Sequence, residues 1–283
     1  MIRLCVICLM AEGHLLLDDL PGVGKTLLAR TIAQSIGAVF KRLQFTPDLL
    51  PTDITGASIY DRAQGGFRFV PGPIFANIVL ADEINRAGSR TQSALLEAMG
   101  EGQVTADGQS YPLPKPFCVV ATQNDVDPYG TFPLPHAQLD RFLMLLSIGY
   151  PGEEEQVLIL ERNERGQPDP TPRLTAPEVC EMQAQVRRVE VARPVKQYIA
   201  RLLAATREHQ EAQLGGSPRA GVQLQRAAQA HAALSGRPYV IPEDVKAVAA
   251  PVLSHRLILE PGASLASTGE LVEDALHQVP VPA

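Results

Sequence analysis

The segment Asp19–Thr26, with the sequence Asp-Leu-Pro-Gly-Val-Gly-Lys-Thr, constrains the fold of this chain more than any other. It follows an apolar run, Leu15–Leu17, and precedes a run that is compatible with a helix, Leu27–Arg30. A Gly-rich loop between a strand and a helix presents backbone N–H groups and a helix N-terminus, which together attract phosphate. The segment therefore predicts an α/β domain with a parallel sheet and a nucleoside triphosphate bound at this loop.

Four positions of the loop have chemical consequences. Gly22 and Gly24 allow backbone N–H groups to approach phosphate oxygens closely, Lys25 can reach the outer phosphates, and Thr26 can place its hydroxyl on a magnesium ion. The loop departs from the usual pattern at Asp19, which stands where the first glycine is expected. Aspartate tolerates left-handed backbone better than most residues, but its carboxylate must point away from the phosphates.

Composition excludes several classes of protein. The net charge of −6 gives no general basic footprint for nucleic acid, and no apolar run approaches the roughly 18 residues of a membrane helix. The apolar start, residues 1–11, lacks a small-residue cleavage site of the kind that follows a signal peptide. The cysteines, at positions 5, 8, 118 and 180, include no second pair that would complete a zinc site. We therefore expect a cytoplasmic protein with reduced thiols.

The pattern along the chain predicts two domains and a link. Residues 1–150 alternate apolar runs with helix patterns, which favours a nucleotide-binding domain with a parallel sheet flanked by helices. In residues 151–172 the pattern predicts a linker helix, Glu153–Arg165, followed by a Pro-rich link. In residues 173–283 it predicts a small all-α domain, with helix starts at prolines 177, 194, 218 and 242. The expected strands are His14–Leu17, Phe40–Leu43, Ile78–Ala81, Phe117–Thr122 and Phe142–Ser147, with helices at Lys25–Ile36, Gly72–Ala76 and Ser89–Met99 and a hairpin at Gln103–Tyr111.

An acid pair, Asp82 and Glu83, ends the apolar run Ile78–Ala81. In phosphate-loop enzymes the first acid of such a pair holds magnesium, and the second polarises the attacking water. The alternative is a strand that ends in a solvated turn. The position of the pair, after a phosphate loop in the same chain, favours the catalytic interpretation.

Three further residues are candidates for the chemistry of phosphoryl transfer. Asn124 ends an apolar strand pattern and could orient the attacking water, or it could belong to an ordinary turn. Arg141 could stabilise the charge on a transferring phosphoryl group, often that of a neighbouring subunit, or pair on the surface with Asp140 or Glu97. Arg219 would lie in the first turn of a helix, where a cation is unfavourable unless an anion is near; the alternative is an exposed arginine.

Taken together, these residues resemble the MoxR family of AAA+ ATPases, within the helix-2-insert group. The similarity runs from about Arg3 to the end of the chain. It rests on Leu20–Thr26, Gln44–Pro51, Pro71–Asn77, Ala81–Ala87, Ala121–Asn124, Leu139–Phe142 and Ser217–Arg219. So many matches in the same order make the resemblance specific.

The resemblance implies a role for each candidate residue. ATP would be held by the phosphate loop, magnesium by Thr26 and Asp82, and the catalytic residues would be Glu83, Asn124 as sensor 1, Arg141 as an arginine finger and Arg219 as sensor 2. The loop positions are Asp19, Leu20, Pro21, Gly22, Val23, Gly24, Lys25, Thr26 and Leu27. Residues 44–70 would form the helix-2 insert, and the hairpin near residue 107 the pre-sensor-1 insert.

The resemblance also implies an assembly and an activity. Members of the family typically form ring hexamers and act as chaperone-like remodellers of protein clients, often with a partner that carries a von Willebrand factor A domain. Two departures stand out: Met1 falls inside the first helix, so we expect a chain shortened before the segment that helps to hold adenine, and His136 stands where an acid is expected.

Other functions stay open at the level of sequence. A nucleotide-dependent binding module with little turnover is consistent with Asp19 and the short N-terminus. A nucleic-acid motor is disfavoured by the net charge, since Arg62 and Arg68 give only a weak basic site. A metal-chelatase motor subunit is a near relative that the motifs separate poorly.

Overall fold

The main sheet of the protein is built from strands that the sequence marks as continuous apolar runs. In a computed structural model, the described residues are 1–18, 22–63, 65–123, 130–165 and 170–282. Five strands form the sheet, in the spatial order Phe40–Gln44, Ile78–Asp82, Cys118–Gln123, Leu15–Asp18 and Met144–Leu146. The helices are α1 (Ile2–Met10), α2 (Lys25–Ser35), α3 (Pro51–Thr55), α4 (Ser89–Glu101), α5 (His136–Leu139), α6 (Glu153–Arg165), α7 (Ala176–Val186), α8 (Arg193–Glu208), α9 (Pro218–Leu234), α10 (Pro242–Leu253) and α11 (Thr268–Gln278). The strands are β1 (Leu15–Asp18), β2 (Phe40–Gln44), β3 (Gly56–Asp61), β4 (Gly66–Pro71), β5 (Ile78–Asp82), β6 (Gln103–Ala106), β7 (Gln109–Pro112), β8 (Cys118–Gln123), β9 (Met144–Leu146), β10 (Ala212–Leu214) and β11 (Ile258–Leu259).

The register of the sheet aligns the carboxyl ends of its central strands. β2 and β5 are parallel, with Gln44 opposite Asp82, and β5 and β8 are parallel, with Ala81 opposite Ala121. Ile78–Ala81 are fully buried, as expected for a parallel strand covered on both faces. The predicted α/β fold class is therefore confirmed, and the predicted sheet strands end within two residues of the observed ones.

One predicted helix, Gly72–Ala76, is wrong. This segment forms turns, and its backbone N–H groups bond to distant carbonyls: Gly72 N–H donates to Thr55 O over 3.3 Å and Ile74 N–H to Ile54 O over 3.2 Å. Pro73 would lie in the first turn of such a helix, where no intrahelical N–H bond is made, so these long-range bonds and not the proline account for the absence of the helix. The α3 helix and the β3–β4 hairpin, which precede this segment, were not predicted either.

The described chain divides into two units. The core unit comprises Leu16–Leu134 and Ser147–Cys180, and the helical unit comprises Met1–Leu15, Pro135–Leu146 and Glu181–Ala283. In the helical unit, α8, α9, α10 and α11 pack on one another. The predicted helix starts are confirmed at prolines 194, 218 and 242 of this unit and at Pro177, which lies in the core unit. The short antiparallel pair β10–β11 adds a feature that was not predicted. Within the described ranges, no helix is both long and apolar enough to cross a membrane.

A buried carboxylate ties three parts of the helical unit together. Asp244 is fully buried at the start of α10. Its carboxylate accepts hydrogen bonds from both terminal nitrogens of Arg237 and, over 2.8 Å, from the Ile241 N–H. It also forms a hydrogen bond of 2.6 Å with His231 Nδ1. Burial acts to raise the pKa of Asp244, but these bonds together hold that pKa below the ordinary value. A carboxylate held in this way stabilises the fold only in its charged form.

We predict that Asp244→Asn lowers the free energy of unfolding by about 3 kcal/mol at pH 7, because it removes the buried anion that pairs with Arg237, whose side chain is only one quarter exposed. The pKa of Asp244 is lower in the folded state, so its contribution is present above the unfolded pKa of about 3.9 and is lost as pH falls through the lower folded value. Urea denaturation at pH 7 and at decreasing pH checks both effects. Asp274→Asn, at a half-exposed aspartate of the same unit, is the control, and equal stability of the two variants would contradict this account.

Candidate nucleotide site

The loop after β1 ends in two glycines with positive φ and in the N-terminus of α2. The φ angles are +85° at Gly22 and +93° at Gly24, and α2 begins at Lys25. A Cβ built at either glycine would meet no heavy atom within 4 Å, so the space in front of the loop is open. The first N–H groups of a helix have no partner within the helix, which makes this opening suited to an anion.

The acid pair lies at the end of β5, in two different backbone conformations. Asp82 is the last residue of the strand, and Glu83 has a left-handed backbone with φ +57°. The buried Thr122 hydroxyl accepts a hydrogen bond from the Glu83 N–H over 2.8 Å and donates one to Asp82 Oδ1 over 2.7 Å. Thr122 therefore orients the carboxylate of one acid and fixes the backbone of the other.

Polar side chains from β2 contact the same two acids. Arg42 donates from Nε over 3.1 Å and from Nη2 over 2.6 Å to Asp82 Oδ2. Gln44 donates from Nε2 to Glu83 Oε2 over 3.0 Å, and Arg86 Nε lies 3.1 Å from that same oxygen. Since Gln44 is also paired in register with Asp82, the parallel strands place these groups side by side.

The loop and the acids line one open cavity of about 240 Å³. The structure brings together six of the predicted site residues here, and it adds Arg42 and Gln44, which were not predicted. The lining residues are Gly22, Gly24, Lys25, Thr26, Arg42, Gln44, Asp82 and Glu83. Oxygen donors from Thr26 and Asp82 suit a magnesium ion, and the lysine and helix N-terminus suit phosphates, so these residues fit a Mg²⁺–nucleotide complex.

Of the remaining predicted site residues in the core unit, the structure describes Val23 and Leu27. Val23 is partly buried, and Leu27, in the first turn of α2, is half exposed. Asp19, Leu20, Pro21 and Asn124 lie outside the described residues. The predictions for these four residues rest on the sequence.

Arg141 and Arg219 both belong to the helical unit. Arg141 is the second residue after α5, and Arg219 is the second residue of α9. Ser217 Oγ caps the first turn of α9 by accepting a hydrogen bond from the Ala220 N–H over 3.1 Å. Arg219 Nε lies 3.8 Å from Asp140 Oδ2, with half of the arginine side chain exposed. The sequence offered an exposed arginine as the alternative for Arg219, and this geometry fits that alternative as well as a role toward phosphate.

Sequence reasoning missed Thr122, Arg42 and Gln44 for different reasons. Thr122 lies in the matched segment Ala121–Asn124, but threonine is common in strands, so nothing in the sequence marks its hydroxyl as functional. Arg42 and Gln44 alternate with buried Leu43 in β2, a pattern that also fits a half-exposed edge strand. The signal that could have found them is the expected alignment of β2 with β5 at their carboxyl ends.

Comparison with known proteins agrees with this geometry. Residues 14–144 match the model of the ATPase family associated with various cellular activities (AAA), and residues 204–275 match the AAA lid domain. The chain is 42% identical over 260 residues to the chaperone MoxR1 of Mycobacterium tuberculosis, covering 89% of this chain and 69% of that protein. The chain belongs to the MoxR family of AAA+ ATPases.

Two further comparisons cover nearly the whole chain. Bacillus subtilis YeaC, an uncharacterized protein, is 48% identical over 283 residues, which are 99% of this chain and 88% of YeaC. A solved structure of a Cytophaga hutchinsonii protein assigned as an ATPase has a TM-score of 0.92 and 38% identity, covering 100% of this chain and 89% of that one. Family and structural similarity thus support nucleotide binding, an ATPase activity and a chaperone-like role.

We predict that Thr122→Val slows ATP turnover about 10- to 100-fold, the range typical when a group that orients a metal ligand is lost. The valine keeps the shape of the side chain but leaves the Glu83 N–H without its acceptor and Asp82 Oδ1 without the hydroxyl that donates to it. Thr122→Ser, which keeps the hydroxyl, is the matched control and should retain most activity in a steady-state phosphate-release assay. Equal rates for the two variants would show that the hydroxyl does not matter.

Proposed function

We propose that this chain is a magnesium-dependent ATPase that uses ATP hydrolysis, in a ring oligomer, to remodel or mature a protein client. The observation that carries the proposal is the cavity in which the phosphate loop faces Asp82 and Glu83. We assign ATP binding to residues 1–150, a link to residues 151–172 and a lid to residues 173–283. We also propose that it works in the cytoplasm, as the sequence predicts.

The binding step is assigned to the loop and to α2. N–H groups of Gly22–Leu27 would hold the phosphates, together with the undescribed residues Asp19, Leu20 and Pro21, and Lys25 would neutralise part of their charge. Thr26 and Asp82 would hold magnesium. Magnesium held there would lower the negative charge that an attacking oxygen must approach.

The hydrolytic step is assigned to Glu83 as general base. Its carboxylate is held by Gln44 and Arg86, and its backbone by Thr122, so the base is kept in one position before the substrate arrives. A carboxylate in this position can accept a proton from water as the water attacks the outermost phosphate, and ADP and phosphate leave. Asn124 would align that water.

The two arginines of the helical unit complete the proposed cycle. Arg141 would reach the ATP of a neighbouring subunit, where a guanidinium stabilises the charge of the transition state. Arg219 would contact the phosphates in its own subunit and so couple the lid to the nucleotide. Sites that are shared in this way require an oligomer, and we propose a ring homo-oligomer, a hexamer by family analogy.

The client and partner are proposed from the relatives alone. The M. tuberculosis relative is named a chaperone, which supports a protein client. A partner with a von Willebrand factor A domain follows from the family resemblance. The acidic net charge of −6 speaks against nucleic acid as the client.

We predict that Glu83→Gln slows ATP turnover at least about 100-fold while ATP binding persists, because the amide keeps the shape of the base but cannot take a proton. Glu97→Gln, at an exposed glutamate of α4, is the control. Wild-type turnover per subunit should rise with protein concentration, since Arg141 acts across subunits. Wild-type binding of ATP without turnover at any concentration would contradict the ATPase and favour a nucleotide-dependent binding module.

A further inference from the structure

Arg256 is a buried cation that the proposed chemistry does not use. It ends the short 3-10 turn Ser254–Arg256 after α10, and only 2% of its side chain is exposed. Burial lowers its pKa to about 10, against the opposing effect of Asp140, so the guanidinium stays charged at neutral pH. Burial of a charge is costly unless the charge is paired and hydrogen-bonded, so a buried guanidinium is expected to have an anion and several acceptors around it.

The partners of Arg256 lie on both sides of Arg141. Nε donates to Asp140 Oδ1 over 2.7 Å and Nη1 to the carbonyl of Leu143 over 3.2 Å, and Nη2 also donates to the carbonyl of Phe142. The guanidinium therefore holds the backbone just before and just after Arg141. A planar group with several fixed donors is suited to holding a turn in one conformation.

The carboxylate of Asp140 is shared between two arginines. Its Oδ1 is held by Arg256, whereas its Oδ2 lies 3.8 Å from Nε of Arg219. Gln223, one turn after Arg219 in α9, donates from Nε2 to the Asp140 carbonyl over 3.3 Å and accepts from Arg256. The start of α9 and the turn that carries Arg141 are thus joined through Asp140.

The two ion pairs of Asp140 differ in strength. The pair with Arg256 is short and largely removed from water, and breaking a buried pair is strongly destabilising. The pair with Arg219 is long and half exposed on the arginine side, a class of interaction worth little. Asp140 is therefore anchored by Arg256, and Arg219 can leave it for a phosphate at small cost.

We propose that Asp140 and Arg256 are positioning residues that fix Arg141 and connect it to Arg219 within one body. This inference rests on the proposed function of those two arginines. Arg219, proposed to act at the subunit's own nucleotide, and Arg141, proposed to act at the neighbour's, would then move together. When Arg219 leaves Asp140 for a phosphate, Asp140 loses one of its two cationic partners. The nucleotide state of one site would therefore change the position of the Arg141 that reaches the next subunit.

Mixed oligomers test this directly. Arg141→Ala subunits keep their base but supply no finger, and Glu83→Gln subunits supply a finger but have no base, so mixing the two should restore turnover. The test donor carries Glu83→Gln with Asp140→Asn, and we expect it to restore about 10- to 100-fold less turnover, the cost of a misplaced catalytic group. The control donor carries Glu83→Gln with Asp274→Asn, at a half-exposed aspartate of the same unit, and should restore turnover fully.

Two readouts separate positioning from mere stabilisation. The first readout is the folding and assembly of each donor, measured by thermal unfolding and by sedimentation. The second is a further donor, Glu83→Gln with Arg256→Lys, which keeps the charge but loses the planar guanidinium that holds the carbonyls. We expect folded, assembled donors of both kinds to restore turnover poorly, with Arg256→Lys intermediate. A folded and assembled Asp140→Asn donor that restores turnover as well as the control would overturn the inference. If Glu83→Gln alone fails to restore Arg141→Ala, the finger role of Arg141 itself falls, and the role of Asp140 with it.

Discussion

The candidate site depends on the parallel pairing of β2, β5 and β8. Their register places Gln44 opposite Asp82 and Ala81 opposite Ala121, so the residues that follow each strand meet at one edge. Thr122 then bonds both acids of the pair, and Arg42 holds Asp82. Any slip of one residue in this register would turn these side chains to the opposite face of the sheet.

Charge is handled differently in the two units. In the core unit, the acids and cations line an open cavity that a charged ligand can enter. In the helical unit, Asp244 and Arg256 are buried and satisfied by networks within the unit. In the core unit the charged groups can interact with a bound ligand, whereas in the helical unit they interact with one another and hold turns and helix starts in place.

Much of the fold could be predicted because its signals are local. The apolar run before Asp82 and Glu83 marks a buried strand, and prolines mark the helix starts of the helical unit. The segment Gly72–Ala76 was predicted wrongly because the N–H groups of Gly72 and Ile74 bond to the carbonyls of residues 55 and 54, which no local pattern reveals. Arg256 was missed because arginines are mostly exposed and its anion, Asp140, lies 116 residues away.

The central claim is that the phosphate loop and the acid pair form one Mg²⁺–nucleotide site. Isothermal titration of a slowly hydrolysed ATP analogue, with and without Mg²⁺, tests it most directly on the wild-type chain and on Lys25→Ala. We expect one nucleotide per chain, tighter binding with Mg²⁺, and an affinity at least about tenfold weaker in the variant, the loss expected for one charge-assisted contact. Equal affinity of the variant, or no binding by the wild type, would contradict the assignment of this cavity.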